Sequence, residues 1–168
     1  MSLKTLLIAL GFALAAGVVH AQTADKLDVL EYGIYASSPR VAVGRSQRGM
    51  TRYQAEQIEL KEATRTVVAR IGTEFGFRYR VTGKPSGAPV LLTIVTKFPA
   101  PGVLAPKGAV PFVQDVDSVI VALNARSFIT WPFERRSDLV PGIWTVEIWQ
   151  GTKKLGEQKF NVILPPVS

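Results

Sequence analysis

Three carboxylates are the first candidates for chemistry. Asp115 and Asp117 lie two residues apart, and Glu134 follows downstream. Such a pair can act as general acid and base in glycoside hydrolysis, or offer hard oxygens to a divalent cation. Hydrolysis needs a cleft that keeps one carboxyl neutral, and a calcium loop needs more oxygen ligands at fixed spacing. The local sequence signals neither. Asp is common in turns, and the pair precedes a short β-branched run, so the plainer reading is a turn before a strand. A hydrolase using Asp115, Asp117 or Glu134 stands as the alternative.

A second set is basic and aromatic. Arg78 and Arg80 lie on the polar face of an alternating segment, and Lys97 sits near them if the next strand is its neighbour. Trp131-Pro132-Phe133 follows a strand and leads into Arg135 and Arg136. Together Arg78, Arg80, Lys97, Trp131, Phe133, Arg135 and Arg136 form the candidate partner surface, for an envelope protein or an anionic glycan. The competing reading is a solvated sheet face whose Arg stems cover apolar neighbours, with the aromatic pair capping the open end of a core. The basic residues are dispersed, and no helix-turn-helix or aromatic RNA-binding signature accompanies them, so nucleic acid is not expected.

The missing residue types narrow the field further. The chain has 168 residues, no Cys and one His, with a formal net charge of +7. Lys4 gives a positive start, Thr5 to Val19 is apolar, and Val19-His20-Ala21 ends in small residues. This is the three-part layout of a secretory signal peptide, assigned to residues 1–21 with cleavage after Ala21. No Cys follows the apolar run, so no lipid anchor is expected. The leader carries His20 and one of the 20 basic side chains, leaving 19 against 13 acidic ones. A product of residues 22–168 then has neither imidazole nor thiol. Ser-His-Asp triads, Cys nucleophiles and zinc sites built on His or Cys are excluded, and no cofactor or metal is expected. The expected compartment is the periplasm or the medium.

One domain suits a chain of this length. Phe75, Phe77, Tyr79 and Val81 alternate with Gly76, Arg78, Arg80 and Thr82, the clearest half-buried strand in the chain. Val90 to Phe98 is apolar on both faces and reads as a central strand. Further strands are expected near Leu27 to Ala36, Thr64 to Ile71, Val119 to Leu123, Ile143 to Trp149 and Phe160 to Val162. Gln150-Gly151-Thr152-Lys153 joins the last two as a hairpin. From Tyr53 to about Lys61 the glutamates recur at helical spacing while Ile58 and Leu60 recur at strand spacing, and a turn of helix or irregular structure is expected. Pro99 to Pro111 carries four prolines and reads as a loop or an edge excursion, with shielding of a sheet edge as one role for it. The pattern predicts an all-β chain, an immunoglobulin-like antiparallel β-sandwich of about seven strands.

Four segments carry a family resemblance: Glu31-Tyr32-Gly33-Ile34-Tyr35, Gly72-Thr73-Glu74-Phe75-Gly76-Phe77, Phe98-Pro99-Ala100-Pro101-Gly102, and Pro141-Gly142-Ile143-Trp144 with the hairpin after it. In this order they resemble DUF3859, a bacterial extracytoplasmic domain family of unknown function. The resemblance implies an immunoglobulin-like fold and an exported protein, and brings no catalytic residues. The expected function is therefore non-catalytic binding, with a structural or assembly role at an exposed sheet edge as a further alternative.

Overall fold

The computed structural model describes residues 22–166. The leader assigned to residues 1–21 lies outside the described residues. Among the described residues nine strands form two sheets: β1 (Thr23–Arg45), β2 (Thr51–Glu62), β3 (Thr66–Val68), β4 (Glu74–Lys84), β5 (Pro89–Lys97), β6 (Gln114–Ala122), β7 (Arg126–Pro132), β8 (Gly142–Gln150) and β9 (Lys153–Ile163). One sheet has the order β2-β1-β4-β7, the other β3-β9-β8-β5-β6. Setting β2 and β3 aside, β1-β4-β7 faces β9-β8-β5-β6. This is the A-B-E against G-F-C strand order of the immunoglobulin-like sandwich, with β6 in the place of C′. Among the described residues there is no α-helix, only a single 3₁₀ turn over Arg136–Asp138.

The alternation read in β4 places Phe75, Phe77, Tyr79 and Val81 in the core. They meet Leu92, Trp144, Val146, Ile148 and Phe160 from the other sheet. Phe75 lies at the centre of the aromatic packing, with ring centroids 5.5 Å from Trp144, 5.2 Å from Phe160 and 5.1 Å from Phe133. The contacts with Trp144 and Phe160 are edge-on, an arrangement that adds to the area burial of each ring.

Three expectations differ from the structure. β2 runs through the segment expected to be helical, pairing with β1 from Ile34↔Glu62 to Arg45↔Thr51. β6 starts at Gln114, so Asp115 and Asp117 lie within a strand and not in a turn before it. The β8–β9 hairpin is tighter than read, because Gln150 and Lys153 already pair across Gly151-Thr152.

β1 changes partners part-way along. Thr23 to Tyr35 pairs with β4, and from Ile34 onward β1 pairs with β2. Residues 36–58 thus form a two-stranded arm that leaves the sheet. Gly33 stands at the departure point with φ +150°, where a Cβ would lie 1.9 Å from the Glu62 carbonyl oxygen. Only glycine fits that approach.

Candidate functional site

The arm is basic. Arg40, Arg45, Arg48 and Arg52 fall in a stretch without one acidic residue between Glu31 and Glu56. Its tip lands on β6, the edge strand of the five-stranded sheet. The Gln47 N–H donates to the Val116 carbonyl (3.2 Å), and the Arg52 guanidinium donates to the Ser118 carbonyl (3.1 Å). Arg52 also pairs with Asp117 at 3.3 Å, and Arg40 approaches Glu134 at 3.9 Å.

These contacts explain the two aspartates. Odd-numbered residues of β6 face inward, so Asp115, Asp117, Val119 and Val121 share one face. Asp115 accepts the Val116 N–H at 3.0 Å, and Asp117 accepts the Ser118 N–H at 2.7 Å. The carboxylates thus satisfy edge donors, while the arm satisfies edge acceptors. Inward charges and a covering segment are two known ways of blunting a sheet edge. The arm covers this edge; the 99–111 loop, expected to shield it, connects β5 to β6.

Beneath the arm, between β6 and β7, lies a cavity of about 380 Å³. Asp115, Asp117 and Glu134 all line it, as do Asp138, Arg52 and Arg135. Its apolar wall includes Ile94, Val119, Phe128, Trp131, Phe133 and Trp144. Burial raises the Asp117 carboxyl above its usual range, against the Ser118 N–H and the Arg52 charge that lower it. Burial also raises the Tyr53 hydroxyl, and the neighbouring Glu134 adds to this. Among the described residues, no group of three or more Asp, Glu, His or Cys side chains is arranged to hold a metal ion.

A second, shallower cavity of about 350 Å³ sits where the arm tip meets the 99–111 loop. Arg45, Arg48, Gly49, Ala105, Pro106, Lys107 and Gly108 line it, and none of them is acidic. The Arg45 guanidinium donates to the Gly49 carbonyl at 3.0 Å, and that of Arg48 lies over the Phe112 ring at 5.6 Å.

The seven residues of the expected partner surface do not form one patch. Arg78 and Arg80 lie on the outer face of β4, where Arg78 pairs with Glu31 at 2.9 Å and also donates to the Ile58 carbonyl. β4 and β5 belong to different sheets, so Lys97 is not their neighbour; it pairs with Glu147 at 2.9 Å. Phe133 is 1% exposed and belongs to the core. Arg135 is tied to Asp138 at 2.6 Å, and Arg136 is exposed on the 3₁₀ turn. Trp131, Phe133 and Arg135 come together only as walls of the inner cavity. Arg45 and Arg48 at the tip, and Lys107 on the facing loop, escaped the sequence reading. The signal for the two arginines was the acid-free, arginine-rich run of the arm.

The family model for a domain of unknown function, DUF3859, matches residues 23–162. The chain belongs to this family. Its motif segments lie at the base of the arm and along the cavity wall: Tyr35 pairs with Glu74 where the arm begins, and the Phe98 and Trp144 rings meet at 4.7 Å. Among solved structures, an immunoglobulin-like protein of Pseudomonas aeruginosa is 26% identical, with 88% of the DUF3859 chain and 100% of that chain covered, at a TM-score of 0.48. An alkylpurine DNA glycosylase of Pseudomonas fluorescens, bound to DNA containing an abasic site analog, is 11% identical. It matches over 58% of this chain and 27% of its own, at a TM-score of 0.34. Among curated proteins nothing matches. The immunoglobulin-like assignment rests on the strand order itself.

Proposed function

We propose that this DUF3859 protein is an exported, non-catalytic binding domain that holds an anionic glycan at the tip of its arm. One observation carries the reading: Arg45, Arg48 and Lys107 converge on a surface cavity whose lining has no carboxylate. Uncompensated cations around a concavity favour a ligand with carboxylate or sulfate groups. The leader-like segment at residues 1–21 supports export to the periplasm or the medium, where such glycans are met. The test is calorimetric titration of the purified protein with alginate and with heparin. Binding is expected to weaken as salt is raised, since the site is exposed. Lys107→Glu together with Arg45→Ala is expected to weaken it about ten-fold or more, at two lost charge contacts. Binding unaffected by the double variant, or none to either polymer, overturns the proposal.

A second reading has its own support: Asp115, Asp117 and Glu134 line one cavity. A carboxylate-dependent hydrolase predicts release of product from chromogenic glycosides, lost in Asp117→Asn and Glu134→Gln. Equal background rates in all three proteins remove this reading.

A further inference from the structure

We propose that the cavity between β6 and β7 is a binding site for a small amine with an apolar body, held through the Asp115 carboxylate. The site shares Arg45 and Pro106 with the arm-tip cavity, but the inference does not depend on what binds there.

The volume, about 380 Å³, falls within the range of about 300–1,000 Å³ typical of small-molecule sites. Protein interiors are packed with few voids larger than a water molecule, so a space of this size beside a core is a built feature and not a packing remainder. Its apolar wall, with Ile94, Val119, Phe128, Trp131 and Trp144, suits a hydrocarbon or aromatic body.

The carboxylates decide the headgroup. Of the four that line the cavity, Asp117 has Arg52, Glu134 has Arg40, and Asp138 has Arg135 as a cationic neighbour. Asp115 has none among the described residues, although it is only 8% exposed. Its two hydrogen bonds come from the main chain, from Arg48 N–H at 3.2 Å and Val116 N–H at 3.0 Å, and both fall on Oδ1. Oδ2 accepts no hydrogen bond among the described residues, and Asp115 lines the cavity. A buried carboxylate is costly unless a cation compensates it. A protonated amine entering the cavity supplies that cation, and the nearby Phe128 and Trp131 rings add attraction for it. An anionic ligand meets four carboxylates, and a neutral one leaves Asp115 uncompensated.

The test uses the full described chain and a panel of 2-phenylethylamine, tryptamine and octylamine, read by calorimetry and by quenching of tryptophan fluorescence. Trp131 and Trp144 line the cavity and report occupancy. At least one amine is expected to bind in the millimolar range or tighter. Its neutral alcohol analogue is expected to bind at least about ten-fold more weakly, the worth of one charge-assisted contact. Asp115→Asn keeps an acceptor for the two main-chain donors and removes the charge; it is expected to lose affinity by a similar factor. Val119→Trp fills the space and is expected to abolish binding while circular dichroism shows the β-sheet retained. Failure of all three amines to bind, equal affinity for amine and alcohol, or amine binding unchanged in both variants overturns the proposal.

Discussion

Asp138 carries more structure than its place in a charged turn suggests. Its carboxylate accepts the main-chain N–H groups of Glu134 and Arg135 and pairs with the Arg135 guanidinium, while the residue is 5% exposed. Arg135 in turn donates to the Leu104 carbonyl at 2.9 Å and touches the Met50 sulfur, so one side chain ties the 3₁₀ turn to the 99–111 loop and to the arm. Asp138→Ala leaves two main-chain donors and a half-buried cation without their acceptor. It is expected to cost about 2–4 kcal/mol, measured by urea denaturation. Glu147 is the second residue of this kind. Burial pushes its carboxyl up, but hydrogen bonds from Lys154, Lys97 and Trp149 prevail and hold it at about 2. A depressed carboxyl stabilises the fold at pH above its unfolded value and loses that contribution as pH falls towards the folded value. The wild-type protein is therefore expected to lose its stability advantage over Glu147→Gln between about pH 4.5 and pH 2. Equal slopes of melting temperature against pH in the two proteins would contradict this. Lys97, read as part of a partner surface, is committed to this ion cluster.

At the scale of elements, the arm is where sequence and structure part. The sandwich strands were legible because one or both faces are buried, which writes period-2 alternation or a continuous apolar run into the sequence: Phe75 to Thr82 and Val90 to Phe98 are the cases. In the arm, by contrast, Val41 and Val43 are more than half exposed, and Glu56 and Glu59 are exposed as well. With no fully buried face the strand period is confined to Ile58 and Leu60, and the glutamate spacing imitates a helix. Asp115 and Asp117 misled for a related reason. Aspartate is depleted in strands, so a strand whose inward face begins with two of them reads as a turn. The type of each residue was visible; the partner that made it tolerable, a segment about 65 residues away, was not. The arm's attachment is also its weak point. Arg52→Ala removes the contacts to Asp117 and the Ser118 carbonyl, yet Arg52 and Asp117 are both partly exposed, so the global cost is expected to stay below about 1 kcal/mol. The local effect is larger. Trypsin is expected to cleave after Arg45 and Arg48 several-fold faster in the variant, because opening of the arm and not global unfolding limits cleavage there. Raised salt is expected to speed cleavage of the wild type in the same direction.

The whole molecule is an immunoglobulin-like sandwich that guards one edge with its own chain. β6 presents outward backbone groups at Val116 and Ser118 that the arm and the two aspartates satisfy. Close by, on the outer face of the same sheet, Leu91 and Ile120 pair across β5 and β6 while 61% and 69% exposed. An uncovered edge beside an exposed apolar pair is a template for strand addition by another chain. Replacing residues 38–57 with a two-residue turn removes the cover and leaves the core strands intact, since the arm pairs only with itself beyond Tyr35. The shortened protein is expected to retain a cooperative melt and to associate. At about 100 μM its mass by sedimentation equilibrium is expected to exceed that of the full chain. Adding Ile120→Lys to the shortened protein places a charge on the outer face beside that edge and is expected to restore the lower mass. If the shortened protein keeps the same mass as the full chain at that concentration, the arm does not serve to protect the edge, and its basic tip remains the reason for its length.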